Sequence, residues 1–229
     1  MSKLGSLLDL YGADPKAAVL LLVRHGETLW NAENRVQGHA DSPLSERGII
    51  QAKTISSFLA DESITAAYSS DLSRAYETAR IIAEPHGCTV VSCPELREAD
   101  YGEWTGLLMS EVKSHWPEIT AAYAKDPTGV KIPGGESARE LMERACLKSA
   151  EIASAHQGQT VLVCAHGGSI RAIIAGVLNS PNILWRFKLG NAGISIIEWG
   201  TQNPRLLALN ILSHLQNLQQ DRFSSEESI

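Results

Sequence analysis

Residues 19–23 are five apolar side chains with no polar break, and they stop abruptly at Arg24-His25-Gly26. An apolar run of that length fits a strand covered on both faces, which requires helices on either side of a mostly parallel sheet. The chain is therefore expected to be α/β, with three layers and a central, mostly parallel sheet flanked by helices. The same stretch delivers two cationic-capable side chains to the carboxyl end of a strand, the edge where α/β proteins bind ligands. Gly26 permits a tight turn, and Glu27-Thr28 can open a helix whose first N–H groups would face an anion beside His25. Residues 160–165 repeat the layout, since Thr160 begins a second apolar run that ends at His166-Gly167-Gly168.

Between these two runs the hydrophobic pattern alternates between helix and strand. Ser45 caps a helix carrying Ile49, Ala52, Ile55 and Leu59, and a short strand follows over 66–69. Ser70-Asp71 offers an N-cap for a helix over 72–83 that stops at Pro85-His86-Gly87, and this places Arg74 in a first turn just past a strand. A strand over 89–92 leads into the charged run that contains Glu98. Helical spacing over 107–125 is interrupted by Pro117, which should divide it into two pieces. Ser137 and Glu140 form a capping-box pattern for a long helix that closes before Gly158, and a helix over 169–178 follows His166. Residues 194–199 and 206–211 read as a hairpin around the turn-prone 200–204.

With 229 residues, 44% of them hydrophobic, one large domain is expected, with 18–215 as its body, 1–17 as a loosely attached arm holding a helical turn over 7–11, and 216–229 as a mobile polar tail. The net charge of -6 argues against nucleic acid held by an overall field, although a local basic pocket can still focus a small anion. Residues 1–17 hold Asp9, Asp14 and Pro15 and no apolar core of a secretory signal, and no window approaches a membrane span, so a cytoplasmic protein is expected. Cys88, Cys93, Cys146 and Cys164 form no CxxC pair or zinc-ligand spacing, and neither a disulfide nor a metal is assigned.

Arg24, His25, Arg74, Glu98 and His166 each fall at the carboxyl end of a predicted strand or in the loop behind it. Taken singly, each is more often a surface ion pair, a solvated acid or a polar cap. Together they fall on one edge of a parallel sheet and can converge. A histidine nucleophile must present an unprotonated nitrogen, and Arg24 and Arg74 disfavour the imidazolium by like-charge repulsion. The same guanidinium groups can clamp phosphate oxygens in pairs, with helix-start N–H groups near Gly26 and Gly167 as further donors. The remaining histidines are assigned to structure or surface by default, with His39 and His214 as the two placed nearest the pocket.

The ordered set Arg24-His25-Gly26-Glu27-Thr28, Asn31, Arg35, Gln37-Gly38, Asp41, Pro43-Leu44, Gly48, Gln51-Ala52, Tyr68-Ser69-Ser70-Asp71-Leu72, Arg74-Ala75, Thr78-Ala79, Leu96-Arg97-Glu98, Gly102, Trp104, Gly106, Gly134-Gly135-Glu136-Ser137 and His166-Gly167 resembles the histidine phosphatase superfamily, whose fold is called phosphoglycerate mutase-like. The match runs over 19–215. The resemblance implies a phosphoryl-transfer enzyme in which His25 is transiently phosphorylated, Glu98 donates a proton, and Arg24, Arg74 and His166 hold the phosphoryl group. It extends substrate contacts to Asn31, Gln37, Gly38, Tyr101 and Gly167, and it implies no cofactor.

The family contains both phosphatases and cofactor-dependent mutases. A mutase must retain a bisphosphate while it reorients, which calls for extra cations, and members of that branch carry an arginine pair in a long insert. Here no arginine occurs between Tyr101 and Lys131; Lys113, Lys125 and Lys131 face Glu103, Glu111, Glu118 and Asp126. Hydrolysis is therefore expected, with a cofactor-dependent phosphoglycerate mutase as the alternative. The runs from Trp104-Thr105-Gly106 to Trp116-Pro117-Glu118 and from Leu209-Asn210 to His214-Leu215 look similar to metal-independent phosphoserine phosphatases. Tyr101, however, stands where a histidine is expected in those enzymes, so sugar phosphates and phosphoglycerate-type acids compete with phosphoserine as substrates. Two other classes fit less well. Gly167-Gly168-Ser169 looks like part of a nucleophile elbow, but Arg171 replaces its last glycine and no downstream Asp and His complete a triad. A binding protein on an inactive phosphatase scaffold usually loses its nucleophile or its acid, and both are present. The expected partner is a small phosphorylated substrate, with neither nucleic acid nor a membrane; a homodimer is compatible with the sequence but not specified by it.

Overall fold

The computed structural model describes residues 7–200 and 203–218. Among them six strands, β1 (Ala18–Arg24), β2 (Ile64–Ser69), β3 (Val90–Ser92), β4 (Thr160–Ala165), β5 (Ile194–Trp199) and β6 (Arg205–Ile211), form one sheet in the order β3-β2-β4-β1-β5-β6. The pairs β1–β4, β2–β4 and β2–β3 are parallel, and β5 runs antiparallel to both β1 and β6. The helices in chain order are α1 (Leu7–Leu10), α2 (Leu29–Ala32), α3 (Glu46–Phe58), α4 (Ser73–Ala83), α5 (Met109–His115), α6 (Pro117–Lys125), α7 (Ala138–Ala155) and α8 (Gly167–Val177).

The period of two along β1 sorts its side chains into two cores. Val19, Leu21 and Val23 pack with Ile55 and Leu59 below α3 and with Ala79 and Ile82 of α4. Leu20 and Leu22 face the other way, toward Leu141, Ala145 and Ile152 of α7 and Ile170, Ile173 and Ile174 of α8. Leu20, Leu21, Leu22 and Val23 have no exposed surface, and full burial of such a side chain contributes roughly 1.5–3 kcal/mol. This is the three-layer, mostly parallel arrangement that the apolar runs imply. A third, smaller cluster of Trp104, Val112 and Ile132 gathers α5, α6 and the neighbouring loops over the carboxyl edge of the sheet, with Trp116, Ile119 and Tyr123 packed against it and Tyr101 shared with the α7–α8 core.

Local sequence sets most element ends. Ser45 caps α3 by accepting from the Gly48 N–H at 3.1 Å, and the Ser137–Glu140 capping box opens α7. Pro117 divides the helical run into α5 and α6. The start of α4 differs from the expectation, because its N-cap is Leu72 and no side chain caps it. Ser70 accepts from the Leu72 N–H at 3.2 Å, and Asp71 is drawn instead into an ion pair with Arg97. α8 begins at Gly167, two residues before the expected start, since the turn out of β4 is helical at once. Leu7, Leu8, Tyr11 and Ala13 pack against the α3–α4 side of the core, and the Leu7 and Asp14 N–H groups donate to Glu62 and Glu198 at 2.5 and 2.6 Å. The expected polar tail lies largely outside the described residues, as does part of the turn between β5 and β6.

Candidate active site

β1 and β4 are adjacent and parallel, and their register ends with Arg24 opposite Ala165. The next residue of each strand is a histidine, so His25 and His166 leave the sheet side by side. The His25 N–H donates to the Ala165 carbonyl at 3.0 Å, and the two rings lie with centroids 5.1 Å apart and planes tilted by 59°.

The His25 ring is oriented from its own turn. Nδ1 lies 2.7 Å from the Gly26 carbonyl oxygen, which can only accept, so Nδ1 carries the proton and Nε2 the lone pair. Burial, then Arg74 and Arg24, hold the proton affinity of His25 well below the ordinary range, with only the Gly26 bond opposing. His166 is depressed likewise, by burial first and then by Arg74, His25 and Arg24. Both imidazoles are therefore neutral near pH 7.

The two guanidiniums are fixed by backbone carbonyls. Arg24, at the end of β1, donates from Nη1 to Leu189 O at 2.5 Å. Arg74, in the first turn of α4, donates to Gly38 O and Ala40 O, both at 2.7 Å, and so holds the loop that carries Gln37 and Gly38. Neither makes an ion pair among the described residues. Burial lowers Arg24 to about 10, with Glu98 opposing and Arg171 and Arg74 reinforcing, and burial lowers Arg74 too; both stay charged at neutral pH. Arg24 Nε, Arg74 Nε and both ring nitrogens of His166 are buried without a hydrogen-bond partner. Leaving such a group unsatisfied costs about 1–3 kcal/mol, and with the two Nε–H groups and the one N–H of the neutral His166 ring the cluster presents three donors, which suits an acceptor-rich oxyanion.

Glu98 enters from the loop after β3. Its Oε1 accepts from the Gly168 N–H and its own neighbour Ala99 N–H, both at 2.9 Å, and Oε2 lies 3.0 Å from Gly168 N. Glu98 holds this position only beside a glycine, Gly168, because a Cβ there would stand 2.2 Å from Glu98 Oε1 and displace it. Gly26 has a similar reason that differs from the expected tight turn: its Cβ would lie 2.5 Å from Gly48 O, so a glycine is needed for α3 to rest against the turn after His25.

The expectation of free helix-start N–H groups near Gly26 is not met. The Gly26 and Glu27 amides donate to Thr78 Oγ1 and Gln51 Oε1, and those of Leu29, Trp30 and Asn31 to Pro43 O, Ser42 Oγ and Thr28 Oγ1. At the start of α8 the Gly168 amide serves Glu98, while the Gly167 N–H has no protein partner among the described residues.

Asn31 Oδ1 accepts from Thr28 N, Thr28 Oγ1 and Asn191 Nδ2 at 3.0–3.2 Å, which leaves its own amide nitrogen without a partner among the described residues. Gln37 is buried with Oε1 unpartnered. Tyr101 stacks on Trp104 at 6.5 Å, and burial, with Glu98 and Tyr123 nearby, keeps its hydroxyl protonated far above the usual phenol range. His39 Nε2 donates to the Glu98 carbonyl at 2.9 Å, behind the carboxylate. His214 Nε2 donates to the Ala192 carbonyl at 3.0 Å, and the Ala192 N–H in turn donates to the Arg24 and His25 carbonyls at 3.0 and 3.1 Å.

Three residues near the site went unrecognised in the sequence. Asn191 Nδ2 bridges Asn31 to the carbonyls of His25 and Gly26 at 3.3 and 3.4 Å. Arg144 of α7 donates to the carbonyls of Glu95, Arg97 and Glu98, each at 2.8 Å, and pairs with Glu136 at 2.5 Å. Arg171 of α8 lies against Trp185, 5.0 Å from its ring centroid. Among the described residues no three His, Cys, Asp or Glu side chains gather as a metal-holding group, and no helix is long and apolar enough to cross a membrane.

Comparison with known proteins places this geometry among relatives. Residues 20–212 match the family model of the histidine phosphatase superfamily (branch 1). Phosphoserine phosphatase 1 of Hydrogenobacter thermophilus is 37% identical over 197 residues, covering 86% of this chain and 93% of that one. A metal-independent phosphoserine phosphatase of Arabidopsis thaliana is 37% identical over 202 residues, covering 87% and 84%. Among solved structures, YhfR of Bacillus stearothermophilus superposes with a TM-score of 0.83 at 30% identity, over 87% of this chain and 100% of that one.

Proposed function

The chain belongs to the histidine phosphatase superfamily (branch 1), and on that footing we propose that it is a metal-independent phosphomonoesterase that hydrolyses small phosphorylated metabolites through a phosphohistidine on His25. The observation that carries the reading is the Nδ1–H bond from His25 to its own turn, which points a lone pair on Nε2 into a pocket of unpaired donors.

In the first half-reaction the Nε2 lone pair attacks phosphorus in line while the P–O ester bond breaks. Glu98, protonated, gives its proton to the departing alkoxide and becomes a carboxylate. Arg24, Arg74 and His166 supply donors to the three equatorial oxygens, and the Gly167 N–H and the Asn31 amide add to them; each donor fixed in place before reaction supports the transition state by roughly 3 kcal/mol. In the second half-reaction the Glu98 carboxylate takes a proton from water, the water oxygen attacks phosphorus, and the P–N bond breaks with its electrons returning to Nε2. Inorganic phosphate leaves, and Glu98 is again protonated. Gln37, Gly38 and Tyr101 line the approach on the leaving-group side.

Hydrolysis is favoured over mutase chemistry by the cover of the site. The stretch between Tyr101 and Lys131 contains no guanidinium to retain a bisphosphate, and Lys131 is engaged by Glu140 at 2.9 Å. The similarity to enzymes named phosphoserine phosphatases makes a small phospho-acid the favoured substrate. The test is a panel of phosphomonoesters assayed with and without a chelator, joined to trapping of the labelled enzyme in alkaline denaturant. Phosphate release indifferent to the chelator, and label lost in His25→Ala, are expected. Isomerisation that exceeds hydrolysis when bisphosphoglycerate is added would replace this reading with the mutase one.

A further inference from the structure

We infer that Arg171 is a specificity-determining residue whose guanidinium receives the carboxylate of a phosphorylated small acid, against a wall formed by Tyr123 and Trp185. The inference rests on the phosphatase reading above and names the part of the substrate which that reading leaves open.

Arg171 lies one helical turn after Gly167 on α8, so both face the same side. A methyl group placed on Gly167 would sit 3.3 Å from Arg171 Nη1 and 3.6 Å from Arg24 Nε, so the two guanidiniums flank one patch of backbone at the mouth of the phosphate site. Arg171 Nε donates to Phe187 O at 3.1 Å, and the planar group lies 5.0 Å from the centroid of the Trp185 ring. Its two terminal nitrogens make no hydrogen bond and no ion pair among the described residues, so the outer edge of the fork is open.

Charge gives the occupant. A phosphomonoester carries close to two negative charges at neutral pH, which Arg24 and Arg74 balance. Both imidazoles are neutral, so Arg171 is a third guanidinium beside the two that engage the phosphoryl group. Its presence is felt by its neighbours: it lowers the proton affinity of Arg24 and acts in the same direction on Tyr101 and Tyr123. Arg171 has no ion-pair partner among the described residues, so a ligand that brings a negative charge to it is stabilised, and the planar fork matches a carboxylate.

The wall makes that pairing stronger. Tyr123 lies edge-on to Trp104 at 5.7 Å and against Trp185 at 5.9 Å, and these rings exclude water from one side of the guanidinium. In a less polar setting the same charge pair is worth more than in bulk water.

The test compares esters that differ only at the proposed group: 3-phosphoglycerate against glycerol 3-phosphate, and phosphoserine against phosphoethanolamine. In the native chain the ratio of kcat/KM, acid over its partner, is expected to exceed unity. In Arg171→Met that ratio falls about 10- to 100-fold, chiefly through KM of the acid. Arg171→Lys, which keeps the charge but loses the bond to Phe187 O, recovers part of the ratio. A ratio unchanged in Arg171→Met, or a lysine variant as poor as the methionine one, overturns the inference and leaves Arg171 as an anchor for Phe187. Trapped phosphohistidine in the native chain separates the two readings: label with an unchanged ratio removes this inference alone, and no label with any ester removes both.

Discussion

His25 and His166 follow the last paired residues of two neighbouring parallel strands, and their ring centroids lie 5.1 Å apart. In many histidine-dependent sites an acid orients the imidazole and raises its proton affinity; here a backbone carbonyl orients it, and burial, then two guanidiniums, lower its proton affinity.

That lowering fixes a pH dependence of stability. The unfolded chain takes up protons on these histidines as pH falls through about 6.5, while the folded one does not. The stabilisation from keeping them neutral is thus fully present above that pH and is lost as pH falls toward the folded values. Each histidine should steepen the decline by up to about 1.4 kcal/mol per pH unit below 6.5. Urea unfolding at pH 7.5, 6.0 and 5.0 measures it, and His166→Gln should show a shallower decline than the native chain; parallel curves would show that His166 is protonated in the fold.

Replacing the nucleophile separates chemistry from folding. His25→Ala should lose turnover by about 10⁴-fold or more, as removal of a nucleophile does elsewhere, with a far-ultraviolet spectrum unchanged. Residual phosphate release above about one part in a hundred would require a different attacking group.

Gly168→Ala addresses the proton donor without touching its identity. The added methyl would meet Glu98 Oε1 at 2.2 Å and must displace it. We expect kcat to fall about 100-fold, as when a catalytic group is misplaced by about an ångström, with a smaller change in KM. An unaffected kcat would mean that the carboxylate moves on substrate binding to a position the methyl does not reach.

Arg144 acts on Glu98 through the backbone and is a positioning residue. Three carbonyls and the Glu136 carboxylate depend on it. Arg144→Met should lower kcat about 10-fold more than it changes KM and destabilise the fold by about 3 kcal/mol, since it leaves acceptors and a charge uncompensated. Arg144→Lys should restore part of kcat. Equal changes in kcat and KM would assign it a general structural role.

β1 and β4 and the groups that follow them, Arg24, His25 and His166, were legible because the signal is local: an unbroken apolar run, an abrupt stop, and a polar residue at once after it. Arg74 and Glu98 lie farther along, in the first turn of α4 and in the loop after β3, and are placed at the same edge by the order of elements and by the family resemblance. The start of α4 was misjudged because Asp71, a good capping residue by type, is taken by Arg97 in the folded chain. Arg144 and Arg171 were invisible for a different reason. Arg144 sits on an amphipathic helix, where an arginine on the polar face reads as solvated; Arg171 is the one charged residue of the apolar α8, and only the fold brings Trp185 and Phe187 to it. Asn191 lies in a loop with no periodicity at all, and the departure of the Gly26 amides from their expected role follows from Thr78 and Gln51, which only the fold brings near.

The small cluster of Trp104, Val112 and Ile132 touches the α7–α8 core only along a seam of Tyr101, Tyr123 and Trp185 among the described residues. A lid with an interior of its own can be rebuilt without retuning the strands that aim His25 and His166, so changes of diet in such an enzyme can be confined to one interchangeable cap while the reactive floor beneath it is inherited intact.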